Sequence, residues 1–260
     1  MNMLPNLMNG VFSHCWWIMP IAFIVGLLKI PAVKGYAGEM LVRLLARFLL
    51  DKSTYHRVHN VTVPTPDGTT QIDHVFVSPY GIFVLETKNM TGWIFGDKDQ
   101  AQWTQKIYKQ HFKFQNPLRQ NYKHTKALEA ALQVEAEAIH SVVTFVGGSV
   151  FKTDMPPNVT SGAGFISYIK SFRVPVFTAQ QVNELVLRLK SERLAPTLAT
   201  HRGHLQHLKS RSDPSAARLC PKCGSPLVLR TVKSGERAGK QFWGCSTFPK
   251  CRLMQDIGWE

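Results

Sequence analysis

Two constellations in this chain combine residue types and spacings that could do chemistry. The first is Asp73, followed after twelve residues by Glu86, Thr87 and Lys88. Asp73 lies within the β-type run 71–78, flanked by Ile72 and Val75, and Glu86 and Lys88 end the next such run, 81–88. Residues two apart on a strand share a face, so Glu86 and Lys88 point the same way. An acid on an otherwise apolar strand is costly to desolvate unless a cation or donor compensates it. Asp73 and Glu86 opposed across a hairpin end, with the Thr87 carbonyl between and Lys88 beside them, form a hard-oxygen site. Mg²⁺, or Mn²⁺ in its place, takes such a set: one or two carboxylates, a carbonyl, waters and a substrate phosphate. The expected chemistry is phosphodiester hydrolysis. The metal would stabilise charge on the scissile phosphate and help generate hydroxide, while Lys88 orients the water or the developing anion. The competing reading of the same residues is a structural Lys88–Glu86 salt bridge at a sheet edge.

The second constellation is Cys220, Cys223, Cys245 and Cys251, spaced C-x2-C, 21 residues, C-x5-C. Each pair can present two thiolates from a turn, the first helped by Gly224, and two turns together make a tetrahedral all-sulfur site for Zn²⁺. With four cysteines and no open position, this zinc is structural, and in a segment of about 45 residues folding and metal binding are coupled.

Elements must position these residues. An apolar run at spacings of three and four (Leu41, Leu44, Leu45, Phe48, Leu49) predicts a first helix from Tyr36, with Glu39 in its first turn. Strands are expected over 56–63, 71–78 and 81–88, the last two joined by a tight turn at Pro79-Tyr80, then a loop rich in Gly and Trp (Gly92, Trp93, Gly96, Trp103). Trp93 and Trp103 read as core anchors of that loop, and His74, on the opposite face from Asp73, as a packing or turn-side histidine. A second helix starts at Asn116-Pro117 and runs toward Val134. Strands follow at 141–146 and 165–169, and a last helix is opened by Thr178 with Gln181 three residues on, its stripe Val182, Leu185, Val186 and Leu189. The class is α/β, a mixed sheet flanked by helices.

The run from Gln71 to Asn89 resembles the nuclease-related domain, NERD, a family similar to the PD-(D/E)xK restriction-endonuclease-like superfamily. Gly38-Glu39, Gly92-Trp93-Ile94, Gly96-Asp97 and Asn116-Pro117-Leu118-Arg119-Gln120 match its other motifs in order, so the resemblance covers about residues 36–150. It implies a restriction-endonuclease-like fold, Asp73 and Glu86 as metal ligands and Lys88 as the catalytic lysine. Glu39 would be an accessory acid and Gln120 a phosphate or water contact. Ile72 stands where the superfamily name has proline. The cysteine segment, Leu219–Asp256, is similar to the C-terminal zinc fingers of type IA DNA topoisomerases. That resemblance implies binding of single-stranded DNA, with Arg230, Lys233, Arg237, Lys240, Lys250 and Arg252 for charge and Phe242, Trp243 and Phe248 for stacking. One of Phe242 and Trp243 is expected in the ribbon's small core.

Composition supports a polyanionic partner. The 260 residues carry 31 Lys+Arg against 17 Asp+Glu, a formal charge of +14, and residues 201–260 hold half of the excess. With 44% hydrophobic and 18% charged residues, wholesale disorder is excluded. Near the N-terminus, Cys15 to Leu28 is an unbroken apolar run; widened to Val11–Ile30 it gives 20 residues, about 30 Å as a helix. No Lys or Arg precedes Lys29, and Lys29, Lys34, Arg43 and Arg47 follow. The expectation is a single-pass anchor with the N-terminus out and the domains cytoplasmic; the alternative is a buried or interfacial helix. The organisation is then an anchor (1–34), a nuclease-like domain (35–190), a basic linker (191–217) containing His201, His204 and His207, and a zinc finger (218–260). The function read from these features is a membrane-tethered, Mg²⁺-dependent DNA endonuclease with a DNA-binding zinc ribbon. The alternatives are a nuclease-like fold that tethers DNA without cutting it, or a ribbon that recognises protein while the charge serves lipid. Cutting both strands of a duplex often needs two sites, which would call for a homodimer.

Overall fold

Alternation in the sequence builds the central sheet. In β2 (Gly68–Ser78) and β3 (Gly81–Asn89), Val75, Val77, Ile82 and Val84 point to one face while Phe76, Phe83 and Leu85 point to the other. Both faces are apolar, so both must be covered. The computed structural model describes residues 30–65, 68–195, 219–220, 222–235, 238–239 and 241–256, with isolated positions at 23, 26, 197, 199, 200, 202, 203, 205 and 206.

The five strands run in the order β1-β2-β3-β7-β9, with β1 (His56–Thr65), β7 (Ile139–Val146) and β9 (Val159–Ser161). The β1-β2-β3 part is antiparallel and β3-β7-β9 is parallel, a mixed sheet with β3 at its centre. Between β3 and β7 the chain makes β4 (Gly92–Phe95), β5 (Gln102–Ile107), β6 (Gln110–Gln115) and α2 (Pro117–Leu132). With β8 (Ser149–Phe151), these three strands form a second sheet of order β6-β5-β4-β8 where a loop is expected from the sequence. β5 buries Trp103 and Gln105, and the Gln105 amide donates to the Thr91 carbonyl at 2.7 Å. A strand whose inward residues include a glutamine carries little hydrophobic alternation to detect.

On one face of the central sheet α2 lays Leu128 and Leu132, and α4 (Ala179–Glu192) its Val182, Leu185, Val186 and Leu189. Both helices start as their sequences predict. The Asn116 side chain accepts from Leu118 N–H, and Thr178 and Gln181 form a reciprocal capping box. Each cap stabilises its helix by about 1 kcal/mol. The other face is covered by α1 (Pro31–Leu49) and α3 (Gly164–Ser171). The segment expected as a strand over 165–169 is therefore helical. Its aromatic and β-branched residues mimic a strand, but Phe165, Ile166 and Ile169 recur at helical spacing and enter the core.

Helix α1 inverts its expected orientation. Its buried residues are the small stripe Gly38, Val42 and Ala46, and Leu41, Leu44, Phe48 and Leu49 face outward. Gly38 is required there, because a Cβ would meet the Asn89 side chain at 2.7 Å. Among the described residues no helix is long and apolar enough to cross a membrane. The anchor expected over residues 11–30 falls almost wholly outside the described residues, as do His201, His204, His207, Arg237 and Lys240.

On the face carrying Phe76, His74 is fully buried, and its Nδ1 lies 2.9 Å from Nδ1 of His59. It is a packing histidine in the sheet, not a turn-side one. A hydrogen bond between these two atoms needs one ring to donate and the other to accept, so the two rings cannot both be charged. Burial, with Arg43 and Arg57 nearby, lowers His59 to about 4, and burial, with His59 and Arg43, lowers His74 to about 3. Unfolded, both rings take up protons near 6.5. The stability this pair contributes is therefore fully present above that pH and is lost as pH falls toward 4. Urea unfolding at pH 7 and pH 4.5 should differ by about 3 kcal/mol, and His74→Gln should halve the slope.

Candidate active site and zinc centre

The site forms where two strands part. β2 and β3 pair from Ser78↔Gly81 to His74↔Leu85; beyond this β2 continues along β1 and β3 along β7. Asp73 and Glu86 stand at the fork. The ladder no longer serves the Thr87 N–H from β2, and the Asp73 side chain takes it, Oδ2 accepting at 2.8 Å. Glu86 is 3% exposed. The Lys88 ammonium lies 2.8 Å from Glu86 Oε1 and donates at 2.8 Å to Oε1 of Gln120 on α2. The salt bridge that competes with a catalytic reading thus exists, but on the central strand of the sheet and not at an edge.

Helix α2 supplies two further residues that the sequence did not mark. Asn121 is fully buried and its amide donates to the Val84 carbonyl (2.8 Å), Ser141 Oγ (2.9 Å) and the Val142 carbonyl (3.0 Å), fixing the helix on β3 and β7. His124, one turn after Gln120, places Nε2 3.3 Å from Glu86 Oε2, while its Nδ1 meets Thr70 Oγ1 at 2.8 Å. The 3.3 Å contact is an ion-pair distance without hydrogen-bond alignment, so Glu86 Oε2 is a buried oxygen with no hydrogen-bond partner. The only available signal was the i, i+4 spacing from Gln120, which a solvated helix would show equally.

The two carboxyls are driven apart. Burial first, then the charge of Glu86 and more weakly that of Glu39, hold Asp73 well above the usual carboxylate range. Burial would raise Glu86 too, but Lys88 and then His124 outweigh it and hold Glu86 at about 2. One proton is therefore kept on Asp73 beside an ionised Glu86. An acid raised on folding contributes stability below its unfolded value of 3.8 and loses it as pH rises through the folded value. Asp73→Asn should consequently stabilise the metal-free protein at pH 7, with the difference from wild type shrinking toward pH 4 in parallel melts. The donor set fits a divalent cation: the Asp73 carboxylate, the Glu86 Oε2, which accepts no hydrogen bond, and the Thr87 carbonyl are hard oxygens. Glu39 on α1 is paired with Arg43 at 3.4 Å, and its charge acts on Asp73.

Trp93 is not a core anchor. It is 45% exposed, with the Lys152 and Lys106 ammonium groups 4.6 and 5.4 Å from its ring. Trp103 is fully buried as expected, its indole N–H donating to the Asp97 carbonyl at 2.8 Å.

The cysteine segment folds as β10 (Leu227–Thr231), β11 (Gln241–Cys245) and β12 (Met254–Asp256), an antiparallel three-stranded sheet. Its core is Leu227 and Trp243 with Cys220, Cys245 and Cys251, so of the two candidate aromatics Trp243 is the buried one. Gly224, at φ 72°, turns the first knuckle. All four sulfurs lie within 4.8 Å of one another, with Cys220–Cys251 at 3.7 Å and Cys223–Cys245 at 3.4 Å. Zn–S bonds of about 2.3 Å place tetrahedral sulfurs about 3.8 Å apart. Hydrogen bonds from Ser225 lower the Cys223 thiol to about 6. At Cys251 the Leu253 N–H acts in the same direction, but burial and the neighbouring sulfurs push the thiol up to about 11. Four such sulfurs ionise together only around a cation. Phe248 is 56% exposed, with the Arg230 guanidinium 5.7 Å from its ring.

Residues 34–146 match the family model of the nuclease-related domain, NERD, and residues 217–257 that of the topoisomerase DNA-binding C4 zinc finger. Over 112 residues, 42% of the chain, it is 49% identical to an uncharacterized protein of Bacillus anthracis, covering 52% of that protein. Over 38 residues, 15% of the chain, it is 50% identical to DNA topoisomerase 1 of Pyrococcus furiosus and equally to that of Mycoplasma genitalium, covering 3% and 5% of those proteins. The chain thus spans about half the length of the first relative and a small part of the other two. No solved structure matches it.

Proposed function

We propose that this chain, which carries a nuclease-related domain and a topoisomerase-type C4 zinc finger, is a divalent-metal-dependent DNA endonuclease. In this reading the N-terminal segment tethers it to a membrane with both domains cytoplasmic, and the zinc ribbon holds single-stranded DNA. The observation that carries the reading is the fork at Asp73 and Glu86. There the half-buried Asp73 accepts the Thr87 N–H, and the buried Glu86 on the next strand is bridged to Gln120 by Lys88.

Asp73, Glu86 and the Thr87 carbonyl would hold Mg²⁺ or Mn²⁺, which supplies Lewis acidity toward the scissile phosphate. The chain's own residues do the rest. An ammonium has three N–H donors; Lys88 gives two to Glu86 and Gln120 and turns the third to the attacking water or a phosphate oxygen. Gln120, its oxygen held by Lys88, presents its NH₂ to a phosphate. His124 stands 3.3 Å from the second oxygen of Glu86, and Asn121 keeps both α2 side chains in register with the strand. Trp93 with Lys106 and Lys152, and Phe248 with Arg230, supply stacking surface beside positive charge for the rest of the nucleic acid.

The test is a panel of single-stranded, duplex, branched and supercoiled DNA, each with Mg²⁺ and with EDTA. Cleavage of at least one substrate in Mg²⁺ alone is expected. Tight, salt-sensitive binding with no cleavage in Mg²⁺ or Mn²⁺ would make the protein a non-catalytic DNA tether.

A further inference from the structure

Among the described residues, the outer face of α1 is left exposed. The helix meets the sheet through Gly38, Val42 and Ala46, with Leu45 partly buried beside them, and turns Leu41 (45% exposed), Leu44 (45%) and Phe48 (77%) outward at helical spacing. A surface helix normally does the reverse, with large apolar residues inward and polar ones outward. A contiguous apolar stripe of this size marks something that covers it.

The sequence around the helix says what. The chain enters α1 at Pro31, directly after the run from Cys15 to Leu28, which contains no charged residue. Through residue 50 Glu39 is the sole acid, and it is paired with Arg43, leaving Lys29, Lys34 and Arg47 uncancelled. Arg47 is exposed on the turn that carries Phe48. An apolar stripe bordered by uncancelled cations, continuing an apolar run, fits a bilayer with anionic headgroups. We infer that α1 lies along an anionic phospholipid surface with Leu41, Leu44 and Phe48 at the headgroup–acyl boundary, so that the nuclease-related domain is seated on the membrane and not merely strung from it. This rests on the tether reading above.

The seat fixes the position of the site. Gly38 lets α1 close on Asn89 at the end of β3, and the Asn89 amide donates to the Lys34 carbonyl at 2.6 Å. The strand bearing Glu86 and Lys88 is therefore about one helix diameter, roughly 10 Å, from the lipid, and substrate is engaged at the membrane surface.

The experiment places the photo-crosslinker p-benzoylphenylalanine at position 48 of the full chain, and separately at position 17. Each protein is reconstituted in vesicles of phosphatidylethanolamine and phosphatidylglycerol, irradiated, and its peptides weighed by mass spectrometry. Phe48 is 77% exposed, so the fold tolerates the probe. Phospholipid adducts at both positions are expected. Lipid at 17 with either no lipid adduct at 48, or a crosslink from 48 to residues 1–28 or to a second copy, overturns the seat and leaves the tether standing. Lipid at neither position overturns both.

Discussion

Lys88→Ala is expected to abolish the proposed metal-dependent DNA cleavage, a loss of at least about 10³-fold in single-turnover rate, while DNA affinity changes little. The magnitude follows from removing a preoriented donor at the charge that develops on the scissile phosphate, which costs 10² to 10³ where one donor is lost. Lys88 does more than donate, since it also keeps Glu86 ionised in a buried position. Alanine leaves that carboxylate with His124 alone, so destabilisation of about 3–5 kcal/mol should accompany the loss. Lys88→Arg separates the two effects. It retains a cation beside Glu86, and the melt should stay near wild type, but its planar fork cannot meet Glu86, Gln120 and a phosphate in the lysine's geometry. Cleavage should remain at least about 100-fold down. A Lys88→Arg protein that cuts at the wild-type rate would reduce Lys88 to a structural counter-ion.

Removal of zinc should unfold the ribbon and leave the nuclease-related domain standing. The ribbon's core is Leu227 and Trp243 against three of its own ligands. Without the ion, the four sulfurs within 4.8 Å are mutually repelling thiolates or unmatched thiols. Structural zinc contributes about 10–16 kcal/mol in small domains, far more than two apolar side chains can replace. Chelation, or Cys251→Ser, should lose the β-sheet signal of the segment and lower affinity for single-stranded DNA at least about tenfold. The sheet of β1-β2-β3-β7-β9 shares no strand with the ribbon, so its unfolding midpoint should not move.

Much of the candidate site was legible in the sequence because its acids and lysine fall on strands that their apolar neighbours reveal. Glu86 and Lys88 lie two apart on a predicted strand, Asp73 lies on another where alternation breaks between Ile72 and Val75, and Gln120 follows from its motif at the start of a helix whose cap was also readable. His124 and Asn121 were not, since a polar residue on a helix looks the same whether it meets solvent or a buried carboxylate. Periodicity also failed for α1 in an instructive way. It reveals that an apolar stripe exists but not what lies against it, and the small stripe Gly38, Val42, Ala46 carried no weight beside five large residues. The second sheet escaped because its strands bury glutamine and tryptophan in place of an aliphatic series. Trp93 was misplaced for a related reason: a tryptophan next to glycine suggests an anchor, but two lysines on neighbouring strands hold it at the surface.

The central claim is that Asp73 and Glu86 form one divalent-metal site at the fork of β2 and β3. Its most direct test is calorimetric titration of the zinc-loaded full chain with Mn²⁺ at pH 7.5. One binding event is predicted, accompanied by release of the Asp73 proton, so that its heat varies with the ionisation enthalpy of the buffer. The event should be absent in Asp73→Asn and in Glu86→Gln. Equal Mn²⁺ binding by wild type and both variants, or no binding by any of them, would contradict the account.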